Sequence, residues 1–178
     1  LNYSDRKPDS QKEIKELIID AKFSDIEVYP PRLKHLYTEF THVGDKIYFG
    51  INHIKNVGHK ECEKIEEISS SADISKYGWM DVLTKVIHKG RLNKRAVIAL
   101  ISVGAFTGEN NTVDREQMLY EFDSWKDLTA REQEHIVNIG EYSEYKTLSS
   151  CIEYMINNMK INSRRLGTVV DIKQMLDN

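Results

Sequence analysis

Cysteine is nearly absent. The chain has two in 178 residues, Cys62 and Cys151, far apart and without zinc-ligand spacing around either. Cys62 sits on an apolar helical face, and both read as reduced core thiols of a cytosolic protein. Long apolar runs are missing too. No stretch is long and apolar enough for a membrane helix or a signal peptide, which excludes both. There is no Walker loop, no Gly-x-Gly-x-x-Gly and no nucleophile elbow. The six histidines, His35, His42, His53, His59, His88 and His135, are scattered, and none has a partner at metal-ligand spacing. Paired acids such as Glu61 with Glu63, or Glu66 with Glu67, read as a solvated helix face. No catalytic constellation remains, so the sequence offers no catalytic residue, metal site or cofactor of its own.

Acidic residues are missing from one window. Between Asp81 and Glu109 there is none, while Lys85, Lys89, Arg91, Lys94 and Arg95 fall inside it, with His88 beside them. The net charge of −3 does not favour a nucleic-acid binder taken whole. A local basic patch still binds phosphate in an acidic chain, the alternative being a solvated helix face and loop. Hydrophobic content of 40% and charged content of 30% describe a soluble globular protein with material for one core or two small ones. The start at Leu1, without Met, and the stop at Asp177-Asn178 read as a piece cut from a longer protein.

The periodicity predicts a mainly α chain with a small β-sheet near the N-terminus. Ser10-Gln11-Lys12-Glu13 fits a capping box, and Ile14, Leu17, Ile18 and Ala21 recur at helical spacing to about Phe23. Ile26 to Tyr29 reads as a short strand stopped by Pro30-Pro31, which cannot donate to a ladder. Tyr37 to Thr41 and Lys46 to Phe49 read as strands around a Val43-Gly44-Asp45 turn, with Ile47 and Phe49 on one face and Lys46 and Tyr48 on the other. Ser69-Ser70-Ser71 reads as a mobile linker. Met80, Leu83 and Ile87 share a helical face that Gly90 stops, and Trp79 reads as a core anchor rather than a base-stacking platform. Asn93 caps a helix that ends at Val103-Gly104. Asp114 to Phe122 is a further helix, and Thr129-Ala130-Arg131-Glu132 is a second capping box. Leu148, Ile152, Met155, Ile156 and Met159 form a core stripe. Ile161 to Thr168 reads as loop, and Asp171 to Leu176 as a last short helix.

The stretch that organises the chain is Ile51 to Lys60. An apolar run with Ile51 and Ile54 ends at Asn56-Val57-Gly58, and Cys62, Ile65 and Ile68 then fall on one side of a helix. Asn and Gly most readily take a left-handed backbone, so the stretch predicts helix, tight hairpin, helix. Such a turn leaves the first amides of the second helix unpaired, and those amides with the helix dipole suit a phosphate. Lys55 and Lys60 flank the turn, and His59 adds a donor. The pattern returns at Leu100-Ile101-Ser102-Val103-Gly104, followed by Ala105-Phe106. Two copies of one hairpin suggest a unit that straddles the backbones of a duplex. A plain αα-corner with solvated lysines is the alternative.

Three blocks, in order and in register, carry a resemblance. Glu27-Val28-Tyr29-Pro30-Pro31 with Phe40 downstream is similar to the Val-Leu-Pro-Pro signature of bacterial replicative DNA polymerases of family C, the polymerase III alpha type. Tyr48 to Gly58 resembles that family's Phe-Gly-Leu-x-x-Ile-Lys-Gly-Val-Gly hairpin. Asn93 to Phe106 resembles its Asn-Lys-Arg-x-x-x-x-Leu-Ile-x-x-Gly-Ala-Phe. The likeness covers roughly Lys12 to Phe122. It implies the end of the fingers region over 1–50, a tandem helix-hairpin-helix module over 51–122, and a helical C-terminal extension over 123–178. Asn56 stands where the family has its first hairpin Gly, and His59 where Glu is frequent. The stretch after Phe106 lacks the usual close Asn-Arg unless Asp114-Arg115 stands in for it.

The resemblance implies a non-catalytic fragment of a DNA-directed DNA polymerase, a nucleotidyltransferase whose catalytic aspartates and Mg²⁺ belong to an upstream palm. Its expected partners are primer–template duplex, held without reading sequence, and the rest of the polymerase. The expected DNA-binding residues are Lys55, Asn56, Val57, Gly58, His59, Lys60, Lys94, Arg95, Val103, Gly104 and Ala105. Gln174-Met175-Leu176-Asp177 lacks the aromatic of a sliding-clamp motif, so no clamp contact is assigned. The expected location is bacterial cytoplasm, and the Lys, Ile and Asn usage suits a divergent, phage-encoded copy. One rival is a protein-docking module on degenerate hairpins, with the acidic helix Glu61 to Glu67 facing the partner. The other is a separate repair or recombination enzyme, for which no acids or catalytic Lys are arranged.

Overall fold

The computed structural model describes residues 10–178, without the side chains of Ser10, Gln11, Glu13 and Leu17. The predicted N-terminal capping box therefore lies outside the described residues. Helix α1 (Ser10–Phe23) leads into a three-stranded sheet of β1 (Val28–Tyr29), β2 (Thr41–Val43) and β3 (Lys46–Tyr48). The central β3 runs parallel to β1, with Val28 opposite Ile47, and antiparallel to β2, with Val43 opposite Lys46. Tyr37 to Phe40 do not extend β2 as expected. The carbonyls of Tyr37 and Thr38 instead accept from the amides of Ile51 (2.9 Å) and Asn52 (3.1 Å), which tie the sheet to the first hairpin. Tyr48 is the residue that β3 buries, under the stacked ring of His35.

The rest of the chain is helical. A 3₁₀ turn (Ile51–His53) precedes α2 (His59–Ser71), and a second (Ile74–Lys76) precedes α3 (Trp79–Asp81). Helix α3 runs straight into a π-helical stretch, Val82–His88. Then come α4 (Lys94–Val103), α5 (Arg115–Trp125), α6 (Ala130–Val137), α7 (Leu148–Asn157) and α8 (Leu166–Asp177). Ser69, Ser70 and Ser71 form the last turn of α2, not a linker. Their hydroxyls donate back to the carbonyls of Glu66 and Ile68, so the helix itself satisfies them. Helix α8 begins earlier than expected, and Met159 falls beyond the end of α7, 91% exposed.

The predicted caps form. Asn93 Oδ1 accepts from the Arg95 amide at 2.8 Å, and Thr129 and Glu132 make a reciprocal box. At the far end of α4, Gly104 takes φ +84°. Its amide donates to Ile101 O at 3.0 Å and the Ala105 amide to Leu100 O at 2.9 Å, a Schellman closure. A side chain at Gly104 would be strained by that left-handed backbone. Gly58, with φ −94°, is an ordinary helix N-cap.

One apolar cluster runs from Leu33 to Ile172, with Trp79, Phe106, Leu100, Ile101, Leu148 and Ile152 at its centre. Burial pushes the Cys62 thiol up to about 11 and raises Cys151 as well, so neither is a ready thiolate. The same core encloses Glu121, which has no solvent exposure. Its carboxylate accepts from Trp79 Nε1 (2.7 Å), the Leu148 amide (2.8 Å) and Gln117 Nε2 (2.9 Å), joining α3, α5 and the N-terminus of α7. Burial raises its pKa despite these donors. Buried Glu132 goes the other way. Burial opposes its ionisation, but the Thr129 amide and the Arg165 guanidinium at 3.2 Å outweigh it and hold the carboxyl below its usual range.

Glu121→Ala orphans the buried Trp79 N–H and Leu148 amide, and urea unfolding should show a loss of about 3 kcal/mol. Glu121→Gln keeps most of the network. The folded wild type holds the Glu121 proton to higher pH than the unfolded chain. This carboxyl therefore favours folding in acid, and that contribution is lost as pH rises through the raised value. The stability of wild type minus that of Glu121→Gln should fall across that rise. Separately, Gly104→Ala should destabilise by about 1–2 kcal/mol, and Gly58→Ala by roughly 0.5 kcal/mol, in the same unfolding assay.

Candidate nucleic-acid interface

The first hairpin closes as the sequence predicts, though the element before it is a single 3₁₀ turn rather than a helix. Ile54 N donates to Ile51 O (3.1 Å) and Val57 N to Ile54 O (3.0 Å). Asn56 takes φ +72°, Val57 is buried, and Gly58 caps α2 at His59. Among the described residues, the amides of Gly58, His59 and Lys60 face no acceptor. These are the donors that a helix N-terminus leaves for an anion.

The second hairpin lies elsewhere than the repeated Val-Gly. It joins the π-helical stretch to α4. Arg91 N donates to His88 O (3.1 Å) and Leu92 N to Ile87 O (3.1 Å). Arg91 takes φ +50°, Leu92 is buried, and Asn93 caps α4 at Lys94. Residue for residue, Asn56-Val57-Gly58-His59-Lys60 matches Arg91-Leu92-Asn93-Lys94-Arg95 in backbone and burial. The order is left-handed residue, buried apolar residue, N-cap, helix start. The two hairpins touch through α2. Lys64 Nζ donates to Arg91 O at 2.7 Å. A Cβ on Gly90 would stand 2.2 Å from Val86 O and 2.9 Å from Ile68 Cδ1, so only glycine permits this approach.

Val103, Gly104 and Ala105 therefore do not form a hairpin of the expected kind. Gly104 and Ala105 are buried, their amides are bonded within the helix end, and Val103 belongs to α4 itself. The two Val-Gly pairs also differ in role, since Gly58 opens a helix and Gly104 closes one. Lys94 and Arg95, at the opposite end of α4 from that turn, belong to the second hairpin. The signal for it was present as a polar, apolar, N-cap, basic order ahead of an apolar-periodic helix. It was hidden because Arg91, not glycine or asparagine, holds the left-handed position.

The geometry gathers cations at both turns. Lys55, Lys60, Lys89, Arg91, Lys94 and Arg95 are exposed. None reaches ion-pair distance of a carboxylate among the described residues. Lys126, on the end of α5 and bound to Asp123, adds a cation that the sequence did not suggest. The neighbouring Lys126 ammonium repels that of Lys94 and holds it below its usual range. His88 adds no charge near neutral pH. Burial lowers its pKa, with Lys89 and Arg91 acting in the same direction, and its ring meets Trp125 edge-on at 5.4 Å.

The acidic helix is partly explained by its own contacts. Glu66 accepts from the Thr38 hydroxyl, Glu61 lies 3.8 Å from Lys64, and exposed Glu63 lies 3.3 Å from His59. Among the described residues, no group of three or more His, Cys, Asp or Glu side chains could hold a metal ion. No helix there is long and apolar enough to cross a membrane.

The DNA polymerase III subunit alpha of Thermus aquaticus is 36% identical to the chain over 98 residues, which is 54% of this chain and 8% of that protein. The chain thus spans under a tenth of that relative's length. The helix-hairpin-helix motif family matches residues 25–118, which hold both hairpins and α4. With more than half of its length inside that match, the chain belongs to the helix-hairpin-helix motif family.

Proposed function

We propose that the chain is a DNA-binding segment of a family C DNA polymerase, holding primer–template duplex through phosphate contacts and supplying no catalytic residue itself. One observation carries the proposal. Two hairpins share a backbone pattern, open helices of the same kind, and carry exposed cations with no carboxylate partner among the described residues. The amides of Gly58, His59 and Lys60 meet one phosphate run, with Lys55 and Lys60 beside them. Asn93 and Lys94 amides meet the other, with Lys89, Arg91, Lys94 and Arg95 supplying charge. Such contacts position a duplex without reading its bases. The likeness to a polymerase III alpha subunit supplies the context. Mg²⁺ and the reacting groups belong, in this reading, to other parts of that polymerase.

The test is duplex binding over a salt series. Log affinity should fall linearly with log salt, by about 0.9 for each phosphate neutralised. Lys94→Ala with Arg95→Ala should lower that slope by about 2 and weaken all sequences alike. A flat salt response, or a sequence-selective loss, contradicts the proposal.

The docking reading predicts a different result. Glu63→Lys and Glu67→Lys leave the fold's own contacts to Glu61 and Glu66 intact. If α2 lies along DNA, they should raise duplex affinity several-fold by adding phosphate contacts. An unchanged affinity in a binding titration favours α2 facing a protein.

A further inference from the structure

An open cleft of about 730 Å³ lies between the sheet, the turn at Arg32–His35 and the loop through Thr107–Asn110. One wall is aromatic. His35 stacks on Tyr48 with ring centroids 3.9 Å apart and 21° between planes, and the Tyr29 ring lies 5.7 Å from Tyr48. The rim is cationic. Arg32, Lys34 and Lys46 are exposed and pair with no carboxylate among the described residues, and Lys46 Nζ stands 5.1 Å from the Tyr29 centroid. Glu109 is the one acid in the lining. Burial lowers the His35 pKa, with Lys34, Arg32 and Lys46 acting the same way, so the ring is neutral at neutral pH.

We infer that this cleft takes unpaired nucleotides of a DNA strand, stacking a base on the partly exposed rings of Tyr29 and His35, with buried Tyr48 backing them, and setting its phosphates against Arg32, Lys34 and Lys46. The volume falls in the range of roughly 300–1,000 Å³ usual for sites that take a small organic group. Rings of this kind serve a base face, which a duplex keeps inside its own stack and an unpaired strand exposes. An acidic peptide would use the cations and leave the rings idle. Lys55 stands seven positions after Tyr48, a span of at most about 25 Å. A strand leaving a duplex held at the first hairpin therefore reaches the cleft. That adjacency rests on the duplex-binding proposal, while the cleft's own affinity for a single strand does not.

The experiment titrates the full chain with three labelled probes: a short thymidine oligonucleotide, a blunt duplex, and the same duplex with a thymidine overhang. Wild type should bind the oligonucleotide, and should bind the overhang duplex about tenfold more tightly than the blunt one. Lys34→Glu with Lys46→Glu, both on the surface, should remove that advantage and leave blunt-duplex affinity unchanged. Tyr29→Ala should weaken oligonucleotide binding several-fold, and Tyr29→Phe should retain it. Equal affinity for blunt and overhang duplexes, with no oligonucleotide binding, overturns the inference. So does a charge-reversal variant that weakens blunt and overhang duplexes by one factor. If the oligonucleotide binds through the cleft and the blunt duplex does not bind, the cleft stands and the hairpin proposal falls.

Discussion

Glu121 brings an ionisable group into a core that excludes water, and three donors from three helices converge on it. An isolated carboxylate there would cost far more than a folded domain has to spare. The Trp79 indole, the Leu148 amide and the Gln117 amide make the arrangement tolerable. In doing so they fix α3 against α5 and the start of α7. The placement of α3 matters most for function. The π-helical stretch that continues it delivers the chain to the second hairpin, and α4 begins immediately after. The helical C-terminal third thus helps to hold the hairpin through one carboxylate, although its own surface carries few of the candidate contacts.

The two hairpins show how one backbone can be written in two sequences. What they share is physical: a left-handed residue, a buried apolar residue and an N-cap that opens a helix. Asn56 and Arg91 both accept the left-handed position, and Gly58 and Asn93 both accept the cap. The consequence is electrostatic. Each turn leaves amides at a helix start without an acceptor and carries exposed lysine or arginine side chains beside it, the arrangement in which dipole and charge would act together on an anion. A chain with a net charge of −3 can present such turns because no acid falls between Asp81 and Glu109, and several acids of α2 are held by His59, Lys64 and Thr38.

Much of the fold was legible from local chemistry. Pro30-Pro31 ended β1, Asn93 and Thr129 capped their helices, and the apolar spacing of α4, α5 and α7 marked their buried faces. Legibility failed where a local signal had two meanings. Three serines read as a linker, yet their hydroxyls bond the helix's own carbonyls. Val-Gly read as one motif twice, but a glycine can open a helix or close one, and only the backbone around it decides which. Met159 fits the stripe of α7 by spacing, but the helix ends before reaching it.

The sequence by itself determined the first hairpin, the caps, the mainly helical character and the acid-free basic window. Each depends on a residue's own backbone preference or on its neighbours within a turn or two. The tertiary structure decided that the basic window is itself a hairpin, and that Gly104 and Ala105 are buried with their amides bonded. It also gathered Tyr29, His35 and Tyr48 with three cations into one cleft. Those outcomes depend on pairings across the chain: Lys64 with Arg91, Glu121 with Trp79 and Leu148, and β1 with β3. Long-range contacts of that kind are set by how helices and strands share one core, which no local pattern specifies.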